Sequence, residues 1–275
     1  MKTITLSYHK RILLALAAVA LFTPAVHAQT ITSSLDDLIL GFYSTAPGKT
    51  SDLEVDLGSI SNFYNASSSF ALPALAVQDL VDTFGANWYT STNLFWGAVS
   101  TTGRDVGTAD GHAPVGTLWA TVPDGAFALN EGSVFAQKAA SPNIEAVITV
   151  GAAGSLDGAT STTNSADAAV IDGTLPGSWT AQDQKTLGTS FGYFNPTVDN
   201  TANIPLNGQV ASDLYELQPT NAPNVAGTLL GELVLTQSGL SFEVVPEPST
   251  WVLVGFGLGI MTMLRRPRPR RTLRS

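Results

Sequence analysis

Leu38-Ile39-Leu40-Gly41-Phe42-Tyr43 and Asp52-Leu53-Glu54-Val55-Asp56-Leu57 are the two stretches that decide the fold of this chain. The first is rich in residues that favour strands, and the second alternates apolar residues with acids. A Pro47-Gly48 pair in the link between them is typical of a turn. We therefore predict that the two stretches pair as neighbouring β-strands.

Further strand patterns occur at residues 93–100 and 116–122, which are rich in aromatic and β-branched residues. Two more, at residues 227–236 and 240–245, are separated by a short polar link with glycine, which suits a hairpin. Residues 151–167 are mostly small and polar, and they predict a long surface loop. The chain is therefore expected to be mainly β, as a single β-sandwich or jelly-roll-like domain.

One or two short helices are expected beside these strands. Residues 73–84 have apolar positions at helical spacing, with Pro73 suited to the first turn and Gly85 to the C-terminal cap. Residues 144–150 fit a short helix or a strand equally well, because their β-branched content favours the strand.

The first 28 residues predict a signal peptide. A basic start leads into the apolar residues 12–22, and Val26-His27-Ala28 offers the small or β-branched side chains that signal peptidase needs. We expect cleavage after Ala28, which leaves residues 29–244 as a secreted β-rich domain. The chain contains no cysteine, so that domain has no disulfide, no cysteine-ligated metal and no cysteine nucleophile.

The C-terminal residues 245–271 predict a membrane-directed signal. Pro246 and Pro248 fix the backbone on either side of Glu247, so this segment stays extended and exposed. The apolar residues 251–264 predict a transmembrane helix. Arg265 and Arg266 open a basic tail, residues 265–271, that stops the helix and stays on the cytoplasmic side.

This ending resembles the PEP-CTERM sorting signal of exported bacterial proteins. The resemblance implies a Gram-negative host that makes extracellular polysaccharide, and cleavage near Pro246-Glu247-Pro248 by the membrane enzyme exosortase. It also implies transient anchoring in the inner membrane, followed by release or attachment at the cell surface. Parts of residues 36–100 are similar to PEP-CTERM proteins of unassigned function, and that similarity implies no activity.

These features predict a non-catalytic structural or interaction protein of the cell surface or the biofilm matrix. The expected partners are signal peptidase, exosortase and the membrane, with extracellular polysaccharide as a further candidate. Residues 29–244 contain 21 acidic residues and only four basic ones, a net charge of −17. This balance argues against nucleic acid as a partner, because phosphate binding needs clustered lysine and arginine.

The acids leave calcium open, although no cofactor is predicted. Asp52, Glu54 and Asp56 alternate along one predicted strand, so all three lie on one face as oxygen ligands. The alternative is that this face is simply solvated. Asp105 and Asp110 lie in a glycine-rich loop, and neither group has the spacing of an EF-hand.

Catalytic patterns are weak. Gly188-Thr189-Ser190-Phe191-Gly192 matches the nucleophile elbow of α/β-hydrolases, but no histidine follows Ser190 to accept its proton. His112 is the only histidine of residues 29–244, and we interpret it as a surface-turn residue, since one histidine cannot build a histidine-rich zinc site. The chain is therefore not expected to be an enzyme.

Two other functions remain as alternatives. A carbohydrate-binding module needs exposed aromatic rings, and Trp88 and Trp179 lie near loop signals, whereas Trp96 and Trp119 lie in strand patterns typical of a core. A hydrolase acting on polysaccharides needs two carboxylates that converge in a cleft.

Overall fold

The computed structural model describes residues 29–245, except residues 127, 150–151, 184–198, 221 and 223–224. Its strands are β1 Asp37–Ser44, β2 Ser51–Ser59, β3 Phe70–Ala71, β4 Leu94–Thr101, β5 Leu118–Pro123, β6 Ala168–Asp172, β7 Asp199–Asn200, β8 Gln209–Leu217, β9 Thr228–Thr236 and β10 Gly239–Glu243. Its α-helices are α1 Ser61–Tyr64, α2 Val77–Phe84, α3 Val134–Ile148, α4 Trp179–Asp183 and α5 Ile204–Asn207, with 3₁₀ turns at Trp88–Thr90 and Thr201–Asn203.

The ten strands join one curled sheet, and every strand pair in it is antiparallel. Their order is β3-β10-β9-β8-β5-β4-β1-β2-β6, and β7 lies beside β4. The predicted mainly β class is confirmed, as are the pairing of β1 with β2 and the β9–β10 hairpin. The arrangement differs from the predicted sandwich or jelly roll, because the described strands belong to a single sheet.

Both faces of this sheet are covered. Leu40 and Phe42 of β1 belong to one apolar core, in which α2 also packs through Leu80. Ile39 and Tyr43, on the opposite face of the same strand, belong to a second core with residues of α3 and α4. Successive side chains of a strand point to opposite faces, and both faces of β1 lie against an apolar core. β1 is therefore apolar at nearly every position.

The second core brings α4 into contact with the backbone of β1. The side chain of Trp179, the first residue of α4, is fully buried there. A Cβ atom built on Gly41 would lie 2.0 Å from Cδ2 of Trp179. Glycine at position 41 is therefore what allows the indole ring to lie directly on the strand.

The helices differ from the prediction in number and bounds. Helix α2 begins at Val77 rather than Pro73, because the amide of Leu72 still donates to the carbonyl of Leu240 and continues the sheet edge. It ends at Phe84, and Gly85 is its C-terminal cap, as predicted. Residues 144–148 form the end of α3, which starts ten residues earlier at a Ser133 cap and continues through Pro142.

Strands β6 and β8 were not predicted. β6 is only five residues long and begins with two alanines, and β8 contains Asp213 and Glu216 with Val210 as its one β-branched residue, so neither has a clear strand pattern. Both form because a neighbouring strand pairs with them: β6 with β2, and β8 with β5 and β9. The predicted loop is confirmed for residues 152–167, where the structure places neither helix nor strand.

Replacing Gly41 with alanine tests the contact with Trp179. We expect Gly41→Ala to lower the free energy of unfolding by about 3 kcal/mol, because the added methyl group overpacks a site with no free space. Gly111→Ala is the control. Gly111 has open space around it but a φ of +75°, so alanine there introduces backbone strain alone and lowers the free energy of unfolding by only about 1 kcal/mol. Urea unfolding of both variants measures the difference, and equal losses would contradict the packing argument.

Candidate functional site

The predicted sorting signal and cleavage residues lie outside the described residues. These are Ala28, Pro246, Glu247, Pro248, Arg265 and Arg266. The last described strand, β10, ends at Glu243, and the amide of Val244 donates to Oγ of Ser69 at 3.1 Å. All ten strands therefore precede the Pro-Glu-Pro motif in the chain.

Two of the predicted calcium ligands instead cap a helix. The backbone amide of Trp179 donates to Oε1 of Glu54 at 2.7 Å. Asp52 accepts from both the amide and the hydroxyl of Thr180, at 2.7 and 2.6 Å. These bonds satisfy amides at the start of α4, where carboxylates are favoured.

The interpretation of these acids as a solvated strand face is wrong. Asp52 is 1% exposed and Glu54 is fully buried, because α4 covers this part of β2. Burial raises the pKa of Glu54 well above its usual range, and the nearby Asp52 charge raises it further. Asp56, the third member, is only partly buried, and its Oδ1 accepts from the amide of Gly58.

A second group of polar side chains surrounds His112. Its Nε2 lies 3.0 Å from Oε2 of Glu216, which is 3% exposed. The imidazole stacks on the ring of Tyr64 with centroids 3.9 Å apart, and the Tyr64 hydroxyl donates to Asp110. His112 does lie in an exposed turn, as predicted, but no local pattern indicates its partners, which are 48 and 104 residues away along the chain.

Asp36, Tyr64 and Asp110 line a small pocket of about 120 Å³. Burial, with the charges of Asp37 and Asp110, raises the pKa of Asp36 to about 6. The Tyr64 hydroxyl and the amide of His112 lower the pKa of Asp110 to about 2. Carboxyl groups with opposite shifts occur in hydrolases, but ligand pockets usually measure about 300–1,000 Å³, so this one is too small for a polysaccharide segment.

A third group, Asp124, Asp213 and Glu232, was also missed. Carboxylate oxygens of the three lie within 4.8 Å of one another. Asp213 and Glu232 are direct partners on β8 and β9, and Asp124 follows the end of β5 beside them. Burial and neighbouring acids raise the pKa of Asp213 and of Glu232. Only the strand register brings them together.

The four tryptophans that the structure describes do not form a binding surface. Trp96, Trp119 and Trp179 are fully buried and Trp88 is 2% exposed. The expectation that Trp88 and Trp179 are free to stack on sugars is wrong, since Trp88 packs in the first core and Trp179 in the second. The predicted core positions of Trp96 and Trp119 are confirmed.

In the part of the chain that the structure describes, no helix has the length and apolar character to cross a membrane. The predicted span at residues 251–264 lies outside that part. Comparison of the chain with protein-family models, with curated proteins and with solved structures finds no match.

The carboxyl groups with raised pKa values predict how stability depends on pH. Asp56 has its pKa raised from 3.8 to about 7 by burial and by the charges of Asp37 and Asp167. Between those pH values the folded chain holds protons that the unfolded chain has lost, so the free energy of unfolding falls as the pH rises. We expect the melting temperature, measured by circular dichroism, to fall from pH 3.8 to about 7.

Asp56→Asn identifies the contribution of this group. In this variant the melting temperature should change less with pH over the same range, because the asparagine side chain does not bind a proton. Asp105→Asn, at an exposed position, is the matched control and should keep the original slope. A melting temperature that rises with pH in the unmodified chain would contradict the direction of these shifts.

Proposed function

We propose that this chain is an exported protein of the cell surface or extracellular matrix, with a non-catalytic structural or interaction role. Signal peptidase removes residues 1–28, the helix at residues 251–264 holds the chain in the inner membrane, and an exosortase cuts near Pro246-Glu247-Pro248. The observation that carries this proposal is the C-terminal order of Pro-Glu-Pro motif, apolar run and arginines.

The position of the last strand supports this proposal. β10 pairs with both β9 and β3, and Phe242 is fully buried in the first core. The bonds and contacts that hold β10 therefore come before residue 246. Cleavage at the motif would remove a segment that contributes no strand to the described sheet.

The charge of the domain fits a soluble surface protein. Among the described residues there is only one ion pair, between His112 and Glu216, while the buried acids Asp52 and Glu54 accept hydrogen bonds from backbone amides. A large net negative charge keeps a secreted domain soluble.

Intact mass of the chain recovered from its own host tests the processing. We expect the wild-type protein in the envelope and medium fractions to lack residues 1–28 and everything beyond the Pro-Glu-Pro region. Pro246→Ala/Pro248→Ala should keep the C-terminal segment, because alanines no longer hold the motif extended.

The chain offers a matched control. Pro267 and Pro269 have the same spacing in the basic tail, so Pro267→Ala/Pro269→Ala makes the same chemical change outside the motif. This control should be processed as the wild type is. A tail that persists in the wild type and both variants would mean that residues 251–264 are a plain membrane anchor, and the proposal would fail.

A further inference from the structure

Helix α2 presents a polar face to the loop before β6. Asp79, Asp82 and Thr83 are spaced i, i+3 and i+4, so they lie on one side of the helix. Opposite them are residues 160–164 of that loop. The two segments enclose a pocket of about 260 Å³ in which Val170 supplies the only apolar side chain.

Asp79 is the unusual residue of this pocket. It is 1% exposed, and its Oδ2 is buried with no hydrogen-bond partner. Its Oδ1 accepts from Nδ2 of Asn164 at 2.9 Å, and the same nitrogen donates to Oδ2 of Asp82 at 2.9 Å. The hydroxyl of Thr83 is also buried without a partner. Leaving such groups unpaired is costly, so a ligand that satisfies them would be favoured.

No basic side chain is among the described residues that line this pocket, so none of them compensates these two carboxylates. The one ion pair of the described residues joins His112 and Glu216, which are not part of the lining. Hydrogen bonds from Gln78 and Asn164 lower the pKa of Asp82, so its carboxylate is charged at neutral pH. The pocket therefore has a negative charge that is balanced only by neutral amide donors.

We propose that this pocket binds a divalent cation, with calcium preferred. The side-chain donors are all hard oxygens: carboxylates of Asp79 and Asp82, the hydroxyl of Thr83, and the amide oxygen of Asn164 after its side chain rotates. There is no imidazole or thiolate in the lining to favour zinc, and no aromatic ring to stack on a sugar. The space leaves room for bound waters, which complete the coordination of calcium in flexible sites.

Binding would connect two parts of the fold. The loop of residues 152–167 has neither helix nor strand, and it contacts the segment before α2 through a bond from Oγ of Ser165 to the carbonyl of Ala74 at 2.6 Å. A cation between Asp79 and Asn164 would add a stronger link at the next turn of the helix. Sites of this kind in extracellular modules have dissociation constants of about 10⁻⁴–10⁻³ M.

Isothermal titration calorimetry of the full chain, purified in a mild detergent and stripped with EDTA, tests the proposal with CaCl₂ as the titrant. We expect saturable binding of one calcium ion, with magnesium binding more weakly. Asp79→Asn should weaken calcium binding by about tenfold or more, because the site loses the buried charged ligand. Thr83→Val should weaken binding by about threefold, since it removes one neutral ligand.

Two variants serve as controls. Asp105→Asn makes the same charge change at an exposed position and should leave the dissociation constant within about twofold of the wild type, because diffuse charge is screened. Asp213→Asn changes the other acidic group and should also leave it unchanged. Melting curves in EDTA check that each variant is folded. If Asp79→Asn fails to fold, the change in calcium affinity of Thr83→Val tests the proposal instead.

Three results would overturn the proposal. They are the absence of saturable calcium binding to the wild type, equal weakening by Asp79→Asn and Asp105→Asn, and loss of binding only in Asp213→Asn. The last would move the site to Asp124, Asp213 and Glu232. None of these results bears on C-terminal processing, which intact mass measures separately.

Discussion

The packing of Trp179 on Gly41 is the contact on which much of this structure depends. It places the start of α4 over β1 and β2, and so it decides that two acids of β2 become buried. Those acids are stable there because the amides of α4 donate to them. The packing and the capping therefore require each other: without the helix the acids would face water, and without the acids the helix would bury unpaired amides.

The same dependence explains why β1 is apolar on both faces. An antiparallel strand in a sheet with one face exposed to water normally alternates apolar and polar residues. β1 lies between β4 and β2 in a sheet with helices packed on each face, so Ile39 and Leu40 point to different cores and both are fully buried. The curled sheet can then hold its two cores without a second sheet.

The local pattern was enough to predict β1, β2, β4, β5 and the β9–β10 hairpin, because their burial follows directly from their own apolar residues. It could not predict β8, in which Asp213 lies opposite Glu232 of β9 and Glu216 contacts His112 of a distant turn. Nor could alternation in β2 distinguish a solvated acid from a buried one, since that depends on where α4 packs. The His112, Asp79 and Asp213 groups were missed for the same reason: each is assembled from residues far apart in the chain.

The buried acids of β2 and α2 show how the same side chain takes different roles. Both oxygens of Asp52 accept hydrogen bonds, Oδ2 from the amide of Thr180 and Oδ1 from its hydroxyl. Glu54 accepts from the amide of Trp179 through Oε1, and its buried Oε2 has no partner. Asp79 meets only one amide hydrogen of Asn164, and its other oxygen has no donor. Asp52 and Asp79 are equally buried, so the number of donors decides the difference between these two acids. Asp52 completes the capping of α4, whereas Asp79 lines a pocket and keeps an oxygen that a cation can use.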